Sequence, residues 1–562
     1  MKKLNIHNFW RSNLFIVFIF AIMSVMCGIF MYRSHIMEMP FDMEFHWQRI
    51  YEIRDSITHG YFPTMISENH FAKSGSAVMS MYPQFNLLPI VILTFIFKSA
   101  INLYNMSFIL VVFCDLIISY FASYTYNKNK KISFIFAISY VVNTRLLFYY
   151  CSITYSIGTL TAISCLPLVL FGFLSLLDKN KWVELTIGLS LILLSHVVST
   201  GATILFVFIL FILNIYEFKD YKKIWSLAKA AITTLLLTSV FWIPFGIISS
   251  QNKLNIPRID YVTGDSSTTI FAILDNNITS SITLLALIGL ILGIANYKKL
   301  SSRLKQIFWI SIAFLIISSS MFPWNMAGST FLIHLQFPYR LNIIPQLLLC
   351  YLFAEIFYIL TKERKKSIGI VVLIGLAALC LQMDAQKRVV NTYLNRPESV
   401  GENIALFNTV IRSDNEFKDI LNTTKNMTTD YYPESSLTSV INIINGKAVD
   451  GNGKKLSVDS MGNGKFSFKA SKKISKLTLP FLYYNGIDYQ VKLDGKTIKG
   501  YSNKNSMMTI DNIDKGKHFV QIIVHKTKAE IISYIFFFIG LVILLAEIFN
   551  NLFKKIKLNK RK

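Results

Sequence analysis

Residues 14–31 read LFIVFIFAIMSVMCGIFM, eighteen residues without a charge. A helix of that length covers about 27 Å at 1.5 Å per residue, close to the thickness of bilayer hydrocarbon. Basic Lys2, Lys3 and Arg11 precede it as they would a signal peptide, but the length of the run and its lack of a small-residue cleavage site predict a retained anchor. The polar stretch that follows, Met39-Pro40-Phe41-Asp42-Met43-Glu44-Phe45-His46-Trp47-Gln48-Arg49, puts acid, imidazole and guanidinium groups directly after the span. That juxtaposition points to chemistry at a bilayer surface. If the stretch is helical, Asp42, His46 and Arg49 stand at i, i+4 and i+7 and share one stripe, with Glu44 pointing nearly the opposite way. Asp42 and Glu44 are then not a carboxylate pair.

The rest of the chain repeats the pattern of the first span. Over 562 residues, 53% are hydrophobic, 45 are Phe and the mean hydropathy is +0.46, more apolar surface than a soluble protein hides. The formal charge of +25 could attract nucleic acid, yet the Lys and Arg residues fall in short clusters between apolar runs, as topology signals do. Nucleic acid is therefore not an expected partner, and membrane lipid is. Placing the clusters at 128–131, 178–181, 219–223, 298–305, 362–366 and 554–562 on the cytoplasmic side gives about twelve transmembrane helices with both termini inside. Residues 87–97 are apolar but too short to cross, and read as a surface or re-entrant helix in a structured external loop, 33–104.

After a span ending near Leu381 the texture changes to short alternating strands punctuated by Gly and Asn, until a last apolar run from Ile531 to Phe549. Asn485-Gly486 and Asp494-Gly495 read as hairpin turns between 477–484, 489–493 and a further strand. The expected architecture is a polytopic α-helical membrane core, residues 1–384, an extracellular β-sandwich-like domain, 385–528, and a final helix with a basic cytoplasmic tail, 529–562. All six cysteines lie in apolar segments without the close spacing of a zinc or redox site, so no metal is expected from them.

Four segments carry a resemblance: Asp42-x-x-x-His46, Tyr82-Pro83, Leu194-Ser195-His196 and Leu335-Gln336-Phe337-Pro338-Tyr339-Arg340. Together they resemble the YfhO-like and pyruvoyl-tetrahydropterin-synthase-related membrane proteins, a group assigned to the GT-C glycosyltransferase fold. The likeness covers most of the membrane region, and residues 477–524 also resemble that family's external β-domain. It departs at Tyr82-Pro83-Gln84, where Tyr-Pro-Pro is more usual, and in the second carboxylate, Glu44.

The resemblance implies an enzyme that moves a sugar from a polyprenyl-phosphate carrier to a cell-envelope acceptor, a teichoic-acid-type or other surface glycan, outside the membrane. The lipid-linked sugar is then the co-substrate, with no further cofactor. A carboxylate of the first external loop is the implied base, Asp42 ahead of Glu44, with His46 beside them. Arg49, Tyr82, His196 and Arg340 are the implied substrate contacts. The chemistry asks for these types, because an attacking hydroxyl must lose a proton and a departing phosphate must be neutralised. An aspartate is ordinarily ionised at neutral pH, and a guanidinium fork matches paired phosphate oxygens.

Each residue also has a plainer reading. A loop acid is usually a solvated surface group, Arg340 would anchor a helix end at the headgroups, and His196 would cap a turn. Asp115, inside an apolar span, either serves function or pairs with another helix. Asp260 and Asp265 stand near Arg258 and Tyr261 without metal-ligand spacing. Two rival classes share the composition: a transporter or flippase of lipid-linked glycans, and a non-catalytic envelope scaffold. Inverted repeats would favour transport, and none is evident.

Overall fold

The computed structural model describes residues 12–40, 42–151, 155–257, 270–362, 367–395, 409–422 and 428–560. Among these, seven helices are long and apolar enough to cross a bilayer: Asn13–Ser34, Ala100–Asn127, Lys130–Cys151, Ile157–Lys179, Pro338–Thr361, Gly369–Leu394 and Lys528–Lys554. An eighth is counted if the bent pair Tyr221–Leu237 and Ser239–Gln251 forms one span. This is the architecture of a multi-pass membrane protein. Other expected crossings correspond in sequence to the shorter apolar helices Val183–Leu193, Val197–Leu213 and Leu284–Ala295. The segment judged too short to cross forms a nine-residue helix, Leu88–Ile96.

The chain divides into two compact units that interleave in sequence: residues 1–41, 97–234 and 258–413, and residues 42–96, 235–257 and 414–562. In the first unit, helix packing relies on aromatic stacking and small residues. Phe20 of the first span is fully buried, with its ring 5.5 Å from Phe134 in a stacked pair. Gly172 lets the Ile157–Lys179 helix meet Val183–Leu193 closely, since a Cβ there would lie 2.3 Å from the Leu185 nitrogen. Asp115 takes the pairing role, accepting a hydrogen bond from Ser164 on a neighbouring helix. Strands β1 (Met37–Met39) and β2 (Thr409–Ile411) close an antiparallel ribbon in the same unit.

The second unit carries a nine-stranded antiparallel sheet. Its strands are β3 (Lys447–Asp450), β4 (Lys455–Gly462), β5 (Lys465–Ala470), β6 (Ile474–Leu482), β7 (Asp488–Leu493), β8 (Lys496–Ile498), β9 (Tyr501–Ser502), β10 (Met507–Ile513) and β11 (Gly516–His525). The order across the sheet is β8-β7-β11-β5-β4-β3-β6-β10-β9. β4 makes the corner: residues 455–457 pair with β3 and residues 458–462 with β5, with a register shift between Ser460 and Gly462. The sandwich-like arrangement is thus one continuous sheet, and inward residues from both halves, such as Phe466 and Phe481, share a core.

Asp494 and Gly495 both have positive φ, 50° and 82°, and join β7 to β8 as the expected hairpin turn. The other expected hairpin does not form. β6 pairs with β3 and β10 while β7 pairs with β11 and β8, so Asn485-Gly486 crosses between the halves of the sheet. Asn252 exchanges amide bonds with the Asn485 backbone at 2.9 and 3.0 Å, and only Gly486 of the pair takes positive φ. Of the two-residue hairpin turns, type I′ needs positive φ at both positions and type II′ at the first, which here is Asn485.

Candidate active site

The polar stretch after the first span folds as a 16-residue helix, Met43–Thr58, in the second unit. Asp42 is its N-cap, exposed and in the left-handed region with φ 66°, and its carbonyl accepts the first helical bond from the His46 N–H at 3.0 Å. Glu44 adds an acid to the first turn, where the helix dipole favours negative charge.

One stripe of this helix is structural. Gln48 donates to Glu44 Oε1 at 2.7 Å and accepts from the Phe71 N–H at 2.8 Å. One turn on, buried Glu52 accepts five hydrogen bonds: from Ser67 Oγ, Asn69 Nδ2 and the backbone N–H groups of Glu68, Asn69 and His70, at 2.6 to 3.1 Å. His70 Nε2 also meets Asp55 Oδ2 at 2.9 Å. Held this way, Phe71, Ala72 and Lys73 follow with φ of 52°, 55° and 54°, three consecutive side-chain-bearing residues in the left-handed region. That conformation costs about 1–2 kcal/mol per residue. The bonds on Glu52, about 1.5–3 kcal/mol each for a charged acceptor, offset it. The far side of the segment is tied to the sheet through Lys73 Nζ to the Ser460 carbonyl at 2.8 Å and the Leu482 N–H to the Ser74 carbonyl at 2.8 Å.

The other stripe gathers candidate site residues. Arg49 is 1% exposed. Its Nη1 donates to His46 Nδ1 at 3.1 Å, its Nη2 to the Pro83 carbonyl at 2.5 Å, and its guanidinium carbon lies 4.9 Å from the Tyr82 ring centroid. Tyr431 stacks edge-on behind Tyr82, 5.9 Å between centroids. No carboxylate pairs with Arg49 among the described residues. Burial lowers its pKa to about 10, and the phenols of Tyr82 and Tyr431 oppose that shift, so it stays cationic at neutral pH. Burial likewise pushes half-buried Glu44 up to about 7, with the Gln48 bond pulling the other way. Glu44 therefore titrates in the range where a proton acceptor or donor is most effective.

Asp42, Glu44, His46, Arg49 and Tyr82 thus belong to one unit, and His196 and Arg340 belong to the other. His196 caps the Val197–Leu213 helix: its Nδ1 accepts from the Ser199 N–H at 3.3 Å and lies 2.8 Å from Ser199 Oγ. Arg340 is half-buried in its own turn, with Nη1 donating to the Leu335 carbonyl at 3.1 Å and Gln336 Oε1 at 2.7 Å, and with the Phe337 ring 5.2 Å away. Asp260, Asp265, Arg258 and Tyr261 lie outside the described residues. Among the described residues no group of three or more His, Cys, Asp or Glu side chains is placed to hold a metal ion.

Sequence reasoning missed Gln48, Glu52 and Tyr431. Glu44, Gln48 and Glu52 recur at i, i+4 and i+8, a spacing that could have revealed the structural stripe. Tyr431 carries no local signal. Arg145 was also passed over: it is 4% exposed, donates to the Ser280 carbonyl at 2.9 Å and the Tyr149 hydroxyl at 2.8 Å, and has no carboxylate partner among the described residues.

No family model matches the chain, and no curated protein does. A solved structure, ArnT from Cupriavidus metallidurans bound to undecaprenyl phosphate, is similar over 68% of this chain and 76% of its own, at 11% identity and a TM-score of 0.35. A score that low does not establish a common fold.

Proposed function

We propose that this protein is a GT-C-type glycosyltransferase that transfers a sugar, with inversion, from a polyprenyl-phosphate-linked donor to a cell-envelope glycan at the outer face of the membrane. The observation that supports the reading is that His46 and Tyr82, from two of the segments that carry the family resemblance, meet at Arg49 on a polar helix that opens at exposed Asp42. In this reading Asp42 takes the proton of the acceptor hydroxyl as that oxygen bonds the anomeric carbon. The bond from that carbon to the phosphate oxygen breaks, and polyprenyl phosphate leaves with the electron pair. Glu44, held near neutrality by burial, is the second carboxylate of the site. Arg340 meets the carrier phosphate by exchanging its bonds to Leu335 and Gln336 for phosphate oxygens.

The pattern of basic clusters supports cytoplasmic termini and an external domain over residues 385–528. A cysteine introduced at Asn452 should then react with an impermeant thiol reagent on intact cells, and protection until lysis would reverse the orientation.

The test of function compares envelope glycans and lipid-linked sugars in cells with and without the protein. Loss of a transferase should strip a sugar from the glycan and leave its loaded carrier to accumulate on the outer leaflet. Carrier trapped on the cytoplasmic leaflet would favour a flippase, and unchanged glycan with unchanged carrier would favour a scaffold.

A further inference from the structure

The structure assigns the His518 imidazole, on β11, as a proton-dependent clasp: doubly protonated, it ties the β7–β8 turn to the β10–β11 turn, and on losing a proton it lets the second turn go. The inference goes beyond the glycosyl-transfer reading and does not depend on it. His518 Nδ1 lies 2.8 Å from Asp494 Oδ2, and its Nε2 lies 2.8 Å from the Asp514 carbonyl oxygen. A backbone carbonyl only accepts, and so does an ionised carboxylate. Asp494 is ionised: its Oδ1 accepts from the Phe519 N–H at 2.8 Å, and against the effect of burial that bond and the one to His518 hold its pKa below the ordinary 3.8. Both ring nitrogens of His518 therefore face acceptors, and only imidazolium supplies two N–H groups.

The clasp sits where the chain crosses between the two halves of the sheet. β10 lies between β6 and β9, and β11 between β5 and β7, so β10 and β11 do not pair and no ladder bonds close the turn that joins them. His518 is opposite Phe468 of β5, with ring centroids 5.6 Å apart, and its side chain is 10% exposed. The charged groups around it are Asp494, Asp514, whose carboxylate meets Lys473 Nζ at 3.8 Å, and exposed Lys496 and Lys515 beside the two turns. Lys517 and its strand partner Lys469 alternate to the opposite face of the sheet. Burial by itself lowers the His518 pKa, but the bonds to Asp494 and Asp514 and the charges of their carboxylates outweigh it, so the net shift is upward from 6.5. The clasp is complete below that ordinary value and is lost as pH rises through the higher folded value. A neutral imidazole keeps one N–H. It stays on Nδ1, because a bond to a carboxylate is stronger than one to a neutral carbonyl, and Nε2 then turns a lone pair on the Asp514 carbonyl.

The experiment uses full-length protein in nanodiscs and follows amide hydrogen exchange by mass spectrometry, with rates corrected for the intrinsic effect of pH. Between about pH 6 and 9, peptides over residues 513–517 should lose protection by about tenfold, the size of one lost hydrogen bond, while peptides over residues 493–496 keep theirs. In His518→Gln the response to pH should vanish. NMR of 15N-labelled histidine, with the His518 signal identified by its loss in that variant, should show both nitrogens protonated at about pH 6 and only Nδ1 protonated at about pH 9. Asp494→Asn should move the transition to lower pH. A neutral His518 at about pH 6, a last proton on Nε2, or exchange at 513–517 that ignores pH or responds equally in His518→Gln would overturn the assignment. The exchange data on unmodified protein decide the matter even if a variant does not fold. A protein that transfers no sugar would fail the proposed function and leave this test unaffected.

Discussion

Arg49 on the Met43–Thr58 helix and Arg340 in the Leu335–Arg340 turn are both candidate substrate contacts, yet they are held in opposite ways. Arg49 is 1% exposed and bonded to a helix neighbour and to Pro83, 34 residues further along. Its surroundings are stitched by Gln48 and Glu52 to residues 67–71. Arg340 is half-buried and, among the described residues, bonded only within its own turn, to Leu335 and Gln336. A guanidinium committed to distant parts of the chain fixes geometry. One tied to its near neighbours can trade those bonds for a ligand at small conformational cost. In the proposed reading the same residue type serves preorganisation in one segment and capture in the other.

The strongest way to break this contrast is to remove the stitching. Glu52→Gln should destabilise the protein by about 3 kcal/mol or more, because whichever carboxylate oxygen becomes an NH2 then confronts at least two donors that lose their acceptor. Gln336→Ala should cost under about 1 kcal/mol, since a half-exposed group can turn to solvent. Denaturant unfolding of the two variants reads the difference, and equal losses would erase the distinction. Next in size is carrier binding. Affinity for a sugar-loaded carrier and for bare polyprenyl phosphate should fall together in the order Arg340, Arg340→Lys, Arg340→Ala, by about 1.5–3 kcal/mol for the full loss. Selective weakening of the sugar-loaded ligand would move Arg340 from phosphate to sugar.

The smallest effect is on pH dependence. Glu44 has a folded pKa of about 7 against an ordinary 4.5, so between those values the folded state holds a proton that the unfolded state has released. Its contribution therefore lowers stability as pH rises from 4.5 to 7 and is flat on either side. Glu44→Gln should remove that slope, and an unchanged stability–pH curve would show that Glu44 is not buried as described.

What was legible in the chain followed from strong, local physics. The first span, the polar helix with His46 and Arg49 on one stripe, and the Asp494-Gly495 turn all follow from periodicity or from a dipeptide whose backbone preference nothing contradicts. The Asn485-Gly486 reading failed because Asn252, remote in sequence, captured the Asn485 backbone, and local propensity cannot anticipate a competing partner. Tyr431 and the left-handed turn at 71–73 were hidden for the same reason: both depend on tertiary bonds and leave no periodic mark. Glu52 was overlooked although its spacing from Gln48 was in plain view, because charged residues on a loop helix are ordinarily solvated.

The most direct measurement of the central claim is single-turnover sugar transfer by purified wild-type and Asp42→Asn protein in nanodiscs. The probes are a radiolabelled polyprenyl-phosphate sugar and envelope glycan extracted from cells lacking the protein. Asn keeps the shape of Asp42 but removes the basic oxygen, so carrier binding should persist while the rate of label entering glycan falls by about 100-fold or more. Near-normal transfer by Asp42→Asn, or wild-type protein that binds the carrier and never releases its sugar to glycan, would contradict the account.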